Sequence, residues 1–163
     1  MKKTCSKTSF PIHGFTLIEL LIAISITAIL FSIGVAQYIK FNRQQILNQA
    51  VLELKTNLTQ ARNMALAGKK TCSGTFDGIL VEFSSEDSYT LKSSCDDKTN
   101  TVDIEYYEFS QGVTRTAGPT DILFKFITGG TDLDSDETIR LTDSGGNTGR
   151  VKVAPSGKIE LVE

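Results

Sequence analysis

The chain has 163 residues, 17 basic and 19 acidic side chains, and a formal net charge of −2. That length suits one domain plus a membrane segment. A slightly acidic balance argues against a nucleic-acid-binding surface, which is normally strongly basic.

Residues 1–14 contain Lys2, Lys3, Lys7 and His13 and no acid. Such a short basic segment ahead of an apolar run reads as a leader. Its loss takes the basic count from 17 to 14 against 19 acidic side chains, formally −5. It also removes the chain's single histidine. With no histidine left, no Cys/His cluster points to zinc.

Residues 15–38 are dominated by Leu, Ile and Ala, and Glu19 is their only formal charge. About 20 apolar residues at 1.5 Å each cross a 30 Å hydrocarbon core. The lysines precede the run, so the N-terminus is expected to stay cytoplasmic and the C-terminal part to be exported. A carboxylate inside such a span is costly and is usually there for a reason.

Three readings of this segment compete. A secretory signal would be cut after the run and lost. A signal anchor would keep everything and leave Glu19 without a role. Cleavage after Gly14 would leave the helix on the mature protein with Phe15 first. Gly14 would then offer a peptidase an unhindered backbone. Phe15 and Glu19 are four residues apart and share a helix face. A free Phe15 amine and the Glu19 carboxylate could neutralise one another within a chain or between chains.

The stretch Gly14-Phe15-Thr16-Leu17-Ile18-Glu19-Leu20-Leu21 resembles the class III signal of type IV pilins and type II secretion pseudopilins. The resemblance implies cleavage between Gly14 and Phe15 by a prepilin peptidase, and N-methylation of Phe15 by the same kind of enzyme. It implies that Glu19 registers a subunit against a neighbour's N-terminal amine, so that other pilin or pseudopilin subunits and the membrane are the expected partners. Many pilins carry a proline late in this run. Here it ends Ile33-Gly34-Val35-Ala36-Gln37, and Gly34 is expected to loosen the helix instead.

No proline occurs between Gly14 and Ala67. Ile46, Ala50, Leu54, Leu58, Ala61 and Ala65 form an apolar stripe at helical spacing. Gly68, followed by Lys69 and Lys70, reads as a helix stop. The expectation is one long helix over about residues 15–67, its first half in lipid or a fibre core and residues 39–68 an amphipathic continuation. Residues 54–69 resemble the helix of GspH/FimT-type minor pseudopilins and minor pilins.

Residues 69–163 change character. Segments 75–83, 88–92, 102–109, 122–127, 138–141, 150–153 and 158–162 are short and rich in β-branched and aromatic residues. Gly, Asp, Ser and Asn fill the gaps between them, which predicts antiparallel strands joined by turns. The fold class is therefore α+β and pilin-like: a long N-terminal helix on an antiparallel β head. Residues 148–159 read as a hairpin and resemble the closing strands of the same minor-pseudopilin group.

Cys5 lies in the leader, which leaves Cys72 and Cys95 as an even pair in an exported domain. An oxidising compartment permits a disulfide between them, and two reduced buried thiols are the alternative. Asp132, Asp134 and Asp136 have the D-x-D-x-D spacing of a calcium loop, with Asp143 at the twelfth position. The sixth position is Glu137 instead of glycine, so a solvated acidic turn is the preferred reading and calcium the lesser one. Arg150, Lys152 and Lys158 could line one edge of the final hairpin. Three cations beside Glu160 and Glu163 make a weak footprint for nucleic acid.

No G-x-S-x-G elbow and no phosphate-binding loop occur, so the expectation is a structural subunit, not an enzyme, with no cofactor. Its place is a single-pass inner or cytoplasmic membrane with the head outside the cytoplasm, then a fibre. A fibre-tip binding module for DNA uptake or adhesion, or a plain membrane-anchored β domain, are the alternatives.

Overall fold

The computed structural model describes residues 16–162. Helix α1 runs Leu17–Leu66, close to the expected 15–67. The chain divides into two units, Met1–Ile39 and Lys40–Glu163.

In the first unit, the apolar side chains of α1 face outward: Leu17 is 83 % exposed and Phe31 74 %. Ser25 donates its hydroxyl to Leu21 O at 2.8 Å and Thr27 to Ala23 O at 2.9 Å. These bonds to the helix backbone satisfy the polar side chains without water. Among the described residues, no helix is long and apolar enough to cross a membrane. The expected span over 15–38 is thus a reading of the sequence and is not carried by the described helix.

In the second unit, the stripe predicted from sequence is buried. Leu54, Leu58, Ala61 and Ala65 are inaccessible and Ala50 nearly so, while Ile46 is half-buried. Leu47 and Val51 widen the stripe by a second row. The helix ends as expected. Gly68 takes φ +66°, and the N–H of Lys69 donates to Met64 O at 3.0 Å, a left-handed stop that glycine adopts without a Cβ penalty.

The described head residues form eight strands: β1 Phe76–Glu82, β2 Ser88–Cys95, β3 Asn100–Glu108, β4 Val113–Ala117, β5 Asp121–Lys125, β6 Glu137–Asp143, β7 Thr148–Val153 and β8 Ile159–Val162. They make two four-stranded antiparallel sheets, ordered β3-β2-β1-β5 and β4-β6-β7-β8. One core joins them to the helix stripe. Ile79, Val81, Leu91, Ile122 and Phe124 come from the first sheet, and Ile139, Leu141, Val151 and Val153 from the second.

Two differences from expectation have physical causes. Strand β2 runs three residues past Lys92, to Cys95. Ser93 and Ser94 are buried there, and Ser93 Oγ accepts the Thr71 N–H at 3.1 Å. Strand β4 was not expected from sequence at all. Val113 is its only fully buried residue, so it lacks an alternating pattern; its place is set by pairing with β6.

Candidate functional site

The first turn of α1 is built by its own side chains. The N–H of Glu19 donates to Thr16 Oγ1 at 3.3 Å, and Leu20 N–H donates to Thr16 O at 3.2 Å. Thr16 is the N-cap and Glu19 the third helical residue, the positions of a capping box, of which the Thr16 hydroxyl half is formed. Its sequence signature, Thr-x-x-Glu before an apolar run, was legible but was absent from the reading of Glu19 above. A carboxylate here is also favoured by the positive end of the helix dipole. The position of Glu19 in the first turn is thus electrostatically favourable besides any role between subunits. Among the described residues its carboxylate has no ion pair. Gly14 and Phe15 lie outside the described residues, so the cleavage and methylation positions have no geometry here.

The apolar flanks beyond this turn have a definite character. Leu20, Leu21, Ile22, Ile24, Ile26, Ile29 and Leu30 are all more than half exposed. A surface of that kind, with hydroxyls already satisfied, is chemically suited to lipid or to other apolar helices.

Cys72 and Cys95 are bonded, with Cα atoms 6.1 Å apart, and both are buried. The bond ties the segment that leaves α1 to the end of β2. The disulfide expectation holds, and the reduced alternative falls.

The four acids suggested for calcium do not converge. Asp132 Oδ2 accepts Lys98 Nζ at 2.6 Å, and its Oδ1 accepts the Leu123 N–H at 2.8 Å. Asp136 is paired with Lys152 at 2.6 Å. Asp143 is buried in the β6–β7 turn, where its Oδ1 accepts the N–H groups of Gly145 and Asn147, each at 2.8 Å. Its Oδ2 accepts Asn147 Nδ2 at 2.8 Å. Burial works against this charge, but the Asn147 side chain and the two backbone donors outweigh it and hold the carboxyl below its usual range. Asp134 has no bonded partner among the described residues. No group of three or more ligating side chains assembles among the described residues. Lysines and a turn thus engage three of the four acids that spacing offered to a cation.

The suggested basic edge is also thinner than its sequence. Lys152 is engaged by Asp136, and Lys158 Nζ lies 2.6 Å from Glu160. Arg150 has neither an ion pair nor a hydrogen bond among the described residues, and its Nε is buried.

A polar group missed from sequence sits between α1 and the first sheet. Asn57 Nδ2 donates to Tyr89 Oη at 2.8 Å in the core. Burial pushes the Tyr89 phenol far up, against the opposing effect of Asn57. Tyr89 stacks on Tyr107 with ring centroids 5.3 Å apart.

Residues 11–35 match the family model described as the prokaryotic N-terminal methylation motif. No curated protein matches the chain in sequence. The structure is similar to the crystal structure of the type IV minor pilin FimU from Pseudomonas aeruginosa strain PAO1, with a TM-score of 0.58 and 14 % identity, covering 76 % of this chain and 92 % of that one. At that identity the likeness speaks for the fold. The methylation motif is shared across pilins and does not select the GspH/FimT-type subgroup. The chain thus combines a prepilin-type N-terminal methylation motif with a fold similar to that of a type IV minor pilin.

Proposed function

We propose that the chain is a minor pilin or pseudopilin, a structural subunit trimmed between Gly14 and Phe15, N-methylated on Phe15, and packed into a fibre through the first half of α1. Before assembly it sits as a single-pass protein in the inner or cytoplasmic membrane with its head outside the cytoplasm. The observation that carries this reading is the exposed apolar half-helix headed by an unpaired Glu19, within a stretch matching the methylation motif. A carboxylate among apolar helices is stable only when a cation meets it. A trimmed neighbour supplies one, the amine of its own Phe15. That pairing fixes the axial register while the apolar flanks supply the attraction. The GspH/FimT-type assignment belongs to the same proposal and draws on residues 54–69 and the β7–β8 hairpin. A tip module that holds DNA has less behind it, because two of the three cations suggested for it are already paired.

Glu19→Gln separates the charge of Glu19 from its place in the first turn. Glutamine still serves a capping box but carries no charge. The expected result is normal cleavage after Gly14 with loss of the subunit from sheared fibres. Wild-type incorporation of Glu19→Gln would refute the register role. Gly14→Val is expected to accumulate uncut precursor. Mass spectrometry of the mature chain should begin at methylated Phe15, and an intact Met1 would defeat the whole reading.

A further inference from the structure

The solvent face of the second sheet contains a conflict that no described residue resolves. Arg140 on β6 lies directly opposite Arg150 on β7. Ile139, Leu141, Val151 and Val153 are inaccessible, so the two arginines share the opposite face. Like charges directly opposed in a ladder are destabilising. Their other cross-strand neighbours are Ala117 and Val162, neither of them an acid. The nearby carboxylates Asp136 and Glu160 are held by Lys152 and Lys158 at 2.6 Å each. Neither guanidinium makes an ion pair or a hydrogen bond to a described residue. Among the described residues this face thus has four cations against two carboxylates, on a chain whose net charge is −2. A local rule broken without an internal gain is expected where a partner supplies the compensation.

We propose that Arg140 and Arg150 form a carboxylate-binding patch that receives an acidic segment of a neighbouring fibre subunit; this rests on the fibre-subunit reading. Each guanidinium can take one carboxylate through two parallel N–H···O bonds. Nucleic acid is the weaker fit, since affinity for a polyanion scales with the phosphates neutralised and only two free cations are on offer. A protein neighbour does not need the patch for affinity. Helix packing already holds it close, at high effective concentration. The two ion pairs then set the orientation of one head on the next and disfavour a subunit without the acids.

The test uses the full-length chain in its own host, with a photo-reactive benzoylphenylalanine at Thr148, an exposed residue on the same strand face as Arg150. Crosslinks are made in assembled fibres and the joined peptide is sequenced by mass spectrometry. The expected peptide is an Asp/Glu-rich segment of another fibre subunit. Its yield should fall at least about tenfold in an Arg140→Glu/Arg150→Glu double variant. It should fall less in Arg140→Lys/Arg150→Lys, which keeps the charge and loses the fork, and should return when the joined acids are changed to lysine. The Tm of Arg140→Gln should equal or exceed that of the parent chain, because the opposed charges are relieved, which separates loss of contact from loss of fold. An unchanged yield in the double glutamate variant, a nucleic-acid adduct, or a joined peptide without carboxylates would overturn the patch and leave the fibre reading standing. Absence of the unmodified chain from fibres would overturn both.

Discussion

The two halves of α1 have the same backbone and opposite destinations for their apolar side chains. Residues of the first half such as Leu17, Ile18 and Phe31 are 83, 68 and 74 % exposed, while Leu54 and Leu58 of the second half are inaccessible. Helix propensity does not distinguish them, because Leu, Ile and Ala serve both. The difference is whether this chain supplies a partner. The second half buries its stripe on two sheets that follow it in the sequence. The first half is apolar nearly all round, and its partner is not among the described side chains. One helix is thus a core element of the head along part of its length and a connector along the rest.

The largest test of that contrast places the same charge in each half. Leu58→Asp puts an unpaired carboxylate at a fully buried position, and such changes cost several kcal/mol. The head of the detergent-solubilised full-length chain is expected to lose its cooperative melting transition. Ile26→Asp changes an exposed residue, and should leave the stability of the head within about 0.5 kcal/mol of the parent chain. Its effect should appear in fibres, where the subunit is lost. Equal loss of head stability in both variants would erase the distinction between the halves.

Next in size is the disulfide, which exists only on the head side of the contrast. Cys72 and Cys95 close a loop of 23 residues' separation. Chain-entropy arguments give about 3–4 kcal/mol for a loop of that length. Cys72→Ala/Cys95→Ala should lower the unfolding free energy from chemical denaturation by that much and leave incorporation through α1 intact at low temperature. A loss of under about 1 kcal/mol would mean that the segment after α1 is already ordered by other contacts.

Asp143 gives a smaller, pH-coded effect. Removing its carboxylate in Asp143→Ala leaves the N–H groups of Gly145 and Asn147 without acceptors, at about 2–3 kcal/mol. Its carboxyl is held below the usual value of 3.8. A depressed folded-state pKa contributes stability that is present above the unfolded value and disappears as pH falls through the folded one. The variant should therefore lose stability at neutral pH and show a shallower decline than the parent chain below about pH 4. Parallel pH profiles for the two chains would assign the turn's order to its glycines instead.

What the sequence made legible follows the same division. The long helix was readable because no proline interrupts it and its stripe repeats every three or four residues, yet Leu47 and Val51 were missed because a single row was counted. The strands with alternating or continuous apolar residues were readable. Strand β4 was not, because Thr114, Arg115 and Thr116 have no apolar rhythm. Arg115 instead places its guanidinium 4.9 Å from the Phe83 ring, a long-range contact that local pattern does not encode. The N-terminal motif was legible because it is short and local, and residues 11–35 match it. The acids were misleading for the opposite reason: Lys98 and Lys152, distant in sequence, determine what Asp132 and Asp136 do. Spacing shows which groups could meet, and only the fold shows which do.

The smallest effect tests the polar seam that the second half of α1 has and the first half lacks. Gln60 Nε2 donates to Glu105 Oε2 at 2.9 Å, and the Tyr107 hydroxyl donates to the same oxygen. Burial first, and then the Glu105 carboxylate, push the Tyr107 phenol up to about 12. A phenol whose folded value lies above its unfolded value of 10.0 contributes stability that is complete below the unfolded value and is lost as pH rises through the folded one. Stability should thus begin to fall above pH 10 and continue to about pH 12. The Tyr89 phenol is raised further still by its burial, so it adds its own loss within that window and beyond it. Tyr107→Phe should make the fall of the melting temperature between those limits shallower, at the cost of one hydrogen bond at neutral pH. Gln60→Ala should keep the slope and remove only the helix side of the seam. If both variants keep the parent chain's alkaline decline, strand β3 is held to the helix by ring stacking on Tyr89 alone, and the second half of α1 differs from the first only in what it buries.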